Sequence, residues 1–190
     1  ARAGGTYAAQ RHVAILDRVE GLLVRPWQGR RERGRVRQIV FAPVDEPGIV
    51  MLLGVRTTLP MTVIGAFRPR LRPMWPAGLM TPNAGFDEKL HAYWITEESG
   101  KFAGLLGSPG ARDMSIMPYQ EEPRDLPIRF LIDVSPEEAA RSYVPIVLAG
   151  GVTGRDAARD TYTRLLATVP ALYAKNVAHY KTVLGETLSV

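Results

Sequence analysis

The sequence predicts a mainly β protein, an antiparallel β-sandwich followed by C-terminal helices. From about Val13 to Pro127, short apolar runs alternate with segments rich in Gly, Pro, Asn and Asp, which is the spacing typical of an all-β sandwich. After Val134 the apolar residues recur mainly at helical spacing. Strands therefore come first and helices last, without the repeated strand–helix alternation of a parallel sheet.

The first predicted strands lie in the segments HVAILDRVEGLLVRPW, VRQIVFAP, GIVMLLGVRT and MTVIGAFRP. We expect turns at Glu20–Gly21 and in the segments APVDEPG and TTLP, because Gly, Pro and Asp favour turn conformations. The short connections between the last three strands predict that these strands are antiparallel neighbours.

The strongest hairpin signal is the segment KLHAYWITEESGKFAGLLG, in which Gly100 is placed for a positive φ. Side chains alternate between the faces of a strand. One face therefore carries Ala92, Trp94 and Thr96, and the other carries His91, Tyr93 and Ile95. A further strand is predicted from Leu126 to Val134.

The helical part begins with a short helix whose start has the sequence of a capping box. Ser135 is the predicted N-cap, Pro136 takes the first helical position and Glu138 follows three residues after the cap. This short helix precedes a further strand in the segment VPIVLAG.

Two longer helices are predicted at the C-terminus, from Arg155 to Thr168 and from Pro170 to Leu184, with Gly185 as the stop. The first follows a second box-like start at Thr153 to Asp156. Neither helix is apolar all round, so each is expected to pack against another surface. The predicted division is a β-sandwich domain over residues 1–152 and a helical linker region over residues 153–190.

Composition excludes several classes of protein. The chain has 190 residues, of which 46% are apolar and 23% charged, a composition typical of a folded globular protein. Without cysteine it has no disulfide framework, zinc–thiolate site or cysteine nucleophile. Its uncharged stretches, such as Gly48 to Val55, are far shorter than the roughly 20 residues that span a bilayer, so no membrane partner is expected. The first residues carry no signal pattern, which leaves the localisation unknown.

The net charge of +5 is concentrated in one arginine-rich segment, RPWQGRRERGRVR. Trp27 and Glu32 lie among six arginines there, Arg25, Arg30, Arg31, Arg33, Arg35 and Arg37. Such a segment is either a phosphate-binding patch of a nucleic-acid-binding protein or a solvated hairpin loop. A single basic loop without a second basic stripe favours the loop, so no nucleic-acid partner is expected.

The segment YVPIVLAGGVTGRDAARDTY contains Gly150, Gly151 and Gly154 ahead of a helix. A phosphate-binding loop has Gly-Lys followed by Ser or Thr at the helix start, and a dinucleotide-binding fingerprint lies within a βαβ unit. Neither feature is present in this segment. The glycines are therefore expected to serve backbone geometry where a strand passes into a helix, and no cofactor is predicted.

No catalytic or metal-binding residues are predicted. The adjacent acid pairs Asp87–Glu88, Glu97–Glu98, Glu121–Glu122 and Glu137–Glu138 are explained by solvation and by the helix dipole. The histidines His12, His91 and His179 are far apart in the sequence and have no partner at ligand spacing.

Aromatic residues give the candidate binding site. Trp75, Tyr93 and Trp94 lie in or beside predicted β segments, and an exposed aromatic ring on a sandwich face can stack on the apolar face of a sugar. The alternative is that these rings belong to the hydrophobic core, where most tryptophan side chains of a small sandwich lie. The predicted carbohydrate-binding residues are Trp75, Asp87, Tyr93 and Trp94, with Asp87 as a hydrogen-bonding neighbour.

The segments FRPRLRPMWPAG, DEKLHAYWITEESGKFAGLLGSPGARD, YQEEP, PIRFLIDV and YTRLLATVPALYAKNVAHYKTVL together resemble the N-terminal part of bacterial glycogen debranching enzyme-like proteins. These are glycoside hydrolases of the amylo-α-1,6-glucosidase type. The resemblance extends from about Arg25 to Val190 and is strongest at GSPGARD and in the tyrosine-rich helical region.

The resemblance implies a supersandwich-like β domain ahead of a catalytic (α/α)6 barrel, with helices that join the two. The catalytic carboxylates of such hydrolases lie in the barrel, so none is assigned to this chain. The expected function is therefore the N-terminal domain of a glycoside hydrolase acting on α-glucan-like oligosaccharides. Its expected partners are carbohydrate and the catalytic barrel of the same protein. The alternative is a stand-alone carbohydrate-binding module without enzymatic activity.

Overall fold

The computed structural model describes residues 23–25, 35–69, 83–114 and 128–187. These residues form ten strands and two helices. In chain order they are β1 (Leu23–Arg25), β2 (Arg35–Phe41), β3 (Gly48–Arg56), β4 (Met61–Phe67), β5 (Asn83–Asp87), β6 (Ala92–Thr96), β7 (Ala103–Gly107), β8 (Arg112–Asp113), β9 (Ile128–Val134), α1 (Pro136–Arg141), β10 (Val144–Gly151) and α2 (Arg155–Thr187).

The strands form two antiparallel sheets. A four-stranded sheet has the order β1-β4-β9-β8, and a six-stranded sheet has the order β2-β3-β10-β7-β6-β5. The prediction of a mainly β protein with C-terminal helical structure is confirmed. No helix in the described ranges is long and apolar enough to cross a bilayer.

The predicted pairing of three successive strands is half correct. The segment APVDEPG joins β2 and β3 as an antiparallel hairpin. The expectation that β4 pairs with β3 is wrong, because the side of β3 away from β2 pairs with β10. The turn after β3, closed by a 2.7 Å hydrogen bond from the Thr57 hydroxyl to the Leu59 carbonyl, carries the chain to the four-stranded sheet, where β4 pairs with β9.

The predicted hairpin between β6 and β7 is confirmed. The two strands pair in register from Ala92–Gly107 to Thr96–Ala103, and Gly100 in the turn has φ 72°. The predicted alternation is also confirmed, since Tyr93 and Trp94 belong to hydrophobic clusters on opposite faces of the six-stranded sheet. Both faces of this sheet are therefore covered.

The first core lies between the sheets. Its residues alternate along the strands, as the two-residue period of a strand requires. The four-stranded sheet contributes Met61, Val63, Ile128, Phe130, Ile132 and Val134, and the six-stranded sheet contributes Leu53, Val55, Tyr93 and Ile146.

The second core lies between the six-stranded sheet and α2. Its sheet residues are Val50, Leu52, Ala92, Ala103, Leu105, Val147 and Ala149. Three fully buried residues of α2, Ala158, Tyr162 and Leu165, pack on them. The described residues thus form three layers, with the six-stranded sheet in the middle.

The predicted capping box of the short helix is confirmed. The backbone N–H of Glu138 donates to the Ser135 hydroxyl at 3.2 Å, and the backbone N–H of Ser135 donates to the Glu138 carboxylate at 3.0 Å. Pro136 occupies the first turn of α1, where the lack of an N–H costs no helical hydrogen bond.

The prediction of two separate C-terminal helices is wrong, because α2 is one helix of 33 residues with Pro170 inside it. The helix also continues past Gly185 to Thr187. Leu166 and Val169 before the proline and Leu172 after it all pack on the same core. Tertiary contacts on both sides thus outweigh the cost of about 3 kcal/mol that a proline imposes on a helix interior.

Several predicted features lie outside the described residues. These are the strand before Leu23 with its turn at Glu20–Gly21, most of the arginine-rich segment, His12, Trp75, Glu121–Glu122 and the first residues of the strand predicted from Leu126.

Candidate functional site

Three of the four predicted carbohydrate-binding residues lie on adjacent strands at one edge of the six-stranded sheet. Asp87 ends β5, and Tyr93 and Trp94 lie on β6. Strand register places Trp94 opposite Gly85 and Tyr93 opposite Phe86. The fourth residue, Trp75, belongs to the undescribed range 70–82.

Tyr93 points into the core between the sheets, and its side chain leaves no ring face for a sugar. The residue is 4% exposed, and its ring packs edge-on against Phe67 and Phe86. Its hydroxyl contacts the carboxylate of Asp113 and lies 3.0 Å from the backbone oxygen of Arg129. Tyr93 therefore joins the two sheets, through its ring and its hydroxyl.

Trp94 points the other way, towards α2. Its indole lies against Gly85, where an added Cβ would come within 2.5 Å of the ring. The guanidinium of Arg155, the first residue of α2, lies over the indole at 4.3 Å from the ring centroid. This stacking is a cation–π contact, and it covers part of the ring that was predicted to stack on a sugar.

Asp87 connects the edge strand to the start of α2. One carboxylate oxygen accepts the backbone N–H groups of Lys89 and Leu90 at 3.0 and 3.2 Å. The other lies 3.9 Å from an Nη of Arg155. Asp87, Trp94 and Arg155 form a group that we call the Trp94 cluster.

The Trp94 cluster has the composition of a binding site for a polar ligand. The Arg155 and Asp87 side chains are 47% and 25% exposed, so a donor fork and a carboxylate acceptor reach solvent beside an aromatic ring. Hydrogen-bonding groups around an aromatic surface suit the hydroxyls and apolar faces of sugars. The cluster contains a single carboxylate, whereas glycoside hydrolysis uses a facing pair.

Sequence reasoning missed the role of Arg155. The residue follows the glycines of the segment AGGVTGRD, far along the chain from Trp94, and no spacing rule connects the two. Its place depends on α2 lying across the sheet, which the local sequence does not specify.

The glycines before α2 serve backbone geometry, in agreement with the prediction. Gly154 has φ 103°, and an added Cβ at Gly151 would lie 2.6 Å from the backbone nitrogen of Ala158. The N–H of Gly154 donates to the Lys101 carbonyl at 2.7 Å, and that of Gly150 donates to the Pro47 carbonyl at 2.9 Å. These amides are thus engaged by the protein itself.

Two of the acid pairs within the described residues lie in contrasting settings. Glu137 and Glu138 occupy the first turn of α1, as expected, whereas the expectation that Glu97 is solvated is wrong. Glu97 is 5% exposed and accepts four hydrogen bonds of 2.5–3.1 Å, from the Ser99 hydroxyl and from the backbone N–H groups of Ser99, Lys101 and Phe102. These bonds, above all those from Ser99, lower the pKa of Glu97 to about 2.

The described histidines have local partners. His91 has φ 51°, and its Nδ1 lies 2.8 Å from the carbonyl oxygen of Ala111. His179 packs against the ring of Tyr180. The described part of the chain contains no group of three or more His, Asp or Glu side chains able to hold a metal ion.

The second half of α2 carries a second candidate surface. Large apolar side chains are exposed there at helical spacing, at 38% for Tyr173, 57% for Tyr180, 41% for Val183 and 59% for Leu184. Residues three, four and seven apart lie on one side of a helix. We call this surface the α2 stripe.

Comparisons of the chain with protein-family models, with curated proteins and with solved structures each found no match. The chemistry of the Trp94 cluster and of the α2 stripe therefore provides the structural basis for assigning a function.

Proposed function

We propose that this chain is the supersandwich-like N-terminal domain of a glycoside hydrolase acting on α-glucan-like oligosaccharides. In this proposal it supports a catalytic (α/α)6 barrel formed by residues beyond Val190, and α2 joins the two domains. The resemblance of the sequence to glycogen debranching enzyme-like proteins motivates the proposal, and the α2 stripe is the structural observation that supports it best.

The stripe continues the side of α2 that packs on the sheet. Tyr162, Leu165 and Val169 contact the sheet core, and Tyr180 and Leu184 follow at helical spacing with more than half of their surface exposed. Exposed apolar residues that form a contiguous patch mark protein interaction sites. A helical barrel supplies a fitting partner, because ridges and grooves of side chains on two helices interlock.

The reconstituted enzyme provides the test. The coding sequence past Val190 is read, the segment that it encodes is purified, and its association with this chain is measured by titration calorimetry. We expect the double substitution Tyr180→Ala and Leu184→Ala to weaken association by roughly tenfold or more, because it removes two large apolar side chains from the interface. The matched control is Val152→Ala, which removes an apolar side chain that is 66% exposed and lies before α2.

Activity assays separate the roles of the two parts. This chain alone is expected to show no turnover of maltooligosaccharides or glycogen, because the proposal places the catalytic carboxylates in the barrel. Robust turnover by this chain would contradict that placement, and equal association of the stripe variant and the control would contradict the interface.

The Trp94 cluster favours a second candidate function, that of a stand-alone carbohydrate-binding module. Asp87 and Arg155 offer an acceptor and donors beside the indole. A stop codon directly after Val190 would favour this candidate over the first.

Substitution of Arg155 tests sugar binding directly. In the module, Arg155→Ala removes the guanidinium from the indole and changes maltooligosaccharide affinity, with a gain if the ring stacks on sugar and a loss if Arg155 binds hydroxyls. Arg159→Ala on the next turn, whose partner is Asp156 at 3.1 Å, is the control. Unchanged affinity in both variants would contradict sugar binding at the cluster.

A further inference from the structure

The turn between β2 and β3, Ala42 to Pro47, holds α2 on both sides of Pro170. Before the proline, the Arg164 guanidinium donates to the two carboxylate oxygens of Glu46 at 2.7 and 2.8 Å. After it, Lys175 pairs with Asp45, and the Asn176 amide donates to the Ala42 carbonyl at 2.6 Å. One turn of six residues thus bridges the proline.

Pro170 interrupts the hydrogen-bond pattern of α2. A proline inside a helix has no N–H to donate to the carbonyl four residues earlier, here that of Leu166, and its ring crowds that carbonyl. The sequence pattern accordingly predicts a break there. The helix nevertheless continues through it, so contacts from outside the helix keep its two halves in line.

Apolar contacts hold the distal half only close to the proline, where Leu172 packs on the sheet core and Tyr173 packs edge-on against the Phe41 ring. The contacts farther along, with the turn, are mostly polar and open to water. The side chains of Lys175 and Asp45 are 59% and 56% exposed, and exposed ion pairs contribute little to stability. Asn176 is buried, but its Oδ1 has no hydrogen-bond partner. Opening the contact would return this oxygen to water, which lowers the cost of opening.

The turn itself is fixed to the sheet. The Pro47 carbonyl accepts the N–H of Gly150 on β10 at 2.9 Å, and Ala42 directly follows Phe41, the last residue of β2. The proximal half of α2 is also fixed, because Ala158, Tyr162 and Leu165 are fully buried on the sheet. The sheet, the turn and the proximal half of α2 therefore form one fixed part, and Pro170 connects it to the distal segment of the helix.

We propose that Pro170 is a hinge and that the turn Ala42–Pro47 is an electrostatic latch across it. The distal segment of α2, residues 171–187, exchanges between the latched position of this structure and a position swung away from the turn. The latch sets the direction in which the α2 stripe is presented. This inference does not depend on the proposed function, since it concerns only contacts within the chain.

Distance measurements between spin labels test the hinge. The chain contains no cysteine, so labels attach only at introduced positions. The pair Glu88→Cys and Lys181→Cys spans the hinge, and the pair Glu88→Cys and Thr163→Cys ends before it. All three positions are exposed.

Removing the latch should release the distal segment. The latch variant combines Asp45→Asn, Glu46→Gln and Asn176→Ala. We expect the ratio of latched to swung molecules to fall roughly 1.4-fold to fivefold from the Lys175–Asp45 pair alone, because the Arg164–Glu46 pair lies on the fixed side of the hinge. The change should appear as a second, broader distance for the spanning pair. Raising the salt concentration of the unmodified latch should act in the same direction. The variant Glu98→Gln and Asp156→Asn, which removes two negative charges elsewhere, should leave the distance unchanged.

The hinge residue gives the decisive comparison. In the latch variant, Pro170→Ala restores the missing helical hydrogen bond and should return the spanning pair to a single distance. An unchanged spanning distance in the latch variant would overturn the latch. Persistence of the second distance after Pro170→Ala would overturn the hinge, and broadening of the Glu88–Thr163 control pair would show that the whole helix loosens instead.

Discussion

At two residues, Glu97 and Gly107, the structural role depends on neighbours in the fold and does not follow from the residue type alone. Glu97 belongs to an acid pair on a turn, yet its carboxylate is buried and organises the backbone of that turn with four accepted hydrogen bonds. Glycine is disfavoured in strands, yet Gly107 lies in one. The reason is that the backbone of His91 approaches Gly107 so closely that no side chain fits. In both cases the neighbours that explain the residue come from the fold.

Gly107 is expected to tolerate no side chain. A Cβ there would collide with the His91 carbonyl oxygen and would lie 2.5 Å from the Ala92 Cβ, and no side-chain rotation can move either atom away. Gly107→Ala should lower the free energy of unfolding by about 1–3 kcal/mol, measured by urea denaturation. Gly104→Ala on the same strand is the control, because its nearest contact is 3.4 Å. Equal losses in the two variants would contradict this explanation.

Glu97 should make stability depend on pH. Its pKa of about 2 in the folded protein lies below its ordinary value of 4.5, so the ionised carboxylate stabilises the fold above pH 4.5. This contribution is lost as the pH falls from 4.5 towards 2. Glu97→Gln should therefore lower the Tm most at neutral pH, and the difference from the unsubstituted protein should shrink across that acidic range.

Thermal melts at several pH values, with Glu98→Gln as the control, measure the effect. The control removes the same charge at the exposed neighbouring residue, and its Tm should follow that of the unsubstituted protein. A Tm difference for Glu97→Gln that stays constant from neutral to acidic pH would show that the Glu97 charge is not responsible.

Secondary-structure elements follow their local signals where these signals are complete within a few residues. The capping box at Ser135 and the turn at Gly100 are both formed as their sequences predict. Pro170 is the opposite case, since its local signal predicts a helix end, whereas tertiary contacts on both sides of the proline accompany a continuous helix. An element is thus predictable in proportion to how much of its stabilisation comes from within itself.

The N-cap of α1 should contribute measurably to the free energy of unfolding. Ser135→Ala removes the hydroxyl that accepts the Glu138 N–H and should cost about 1 kcal/mol of unfolding free energy in urea denaturation. Ser142→Ala, at the exposed other end of the same helix, should cost much less. Similar losses at the two ends would show that the capping hydrogen bond is not the cause.

At the scale of the whole molecule, the described residues form three layers, and the middle sheet is covered on both faces. This explains the nearly continuous apolar runs GIVMLLGV in β3 and VPIVLAGG in β10, because a strand covered on both sides has no solvent face to alternate with. The proximal half of α2 shares a core with that sheet. The predicted division at residues 152 and 153 stays a prediction, and the shared core gives it a test.

Two leucines of α2 provide that test. Leu165 is fully buried against the sheet and Leu184 is 59% exposed. Leu165→Ala should lower the free energy of unfolding by about 2–5 kcal/mol, with a single cooperative transition, whereas Leu184→Ala should change it by less than about 0.5 kcal/mol. Separate transitions for helix and sheets, or a small loss at Leu165, would instead favour an independent helical region.

The candidate site was predictable only in part. The alternation of HAYWIT places Tyr93 and Trp94 on opposite faces, but it does not say that Tyr93 faces the second sheet or that Trp94 faces a helix. Arg155 joins Trp94 and Asp87 through the path of α2 across the sheet, and Asp45 and Glu46 meet α2 for the same reason. No spacing rule reaches across such distances in the sequence.

The sequence by itself determined the mainly β composition, the strand-to-helix order, the hairpins β2–β3 and β6–β7, the capped start of α1 and the glycine exit into α2. Each depends on backbone preferences and hydrogen bonds within a short segment. Only the tertiary structure decided that β10 separates β3 from β7, that α2 continues through Pro170, and that Asp87, Trp94 and Arg155 meet. These features are stabilised by contacts between distant segments, whose free energy exists only once the layers have packed.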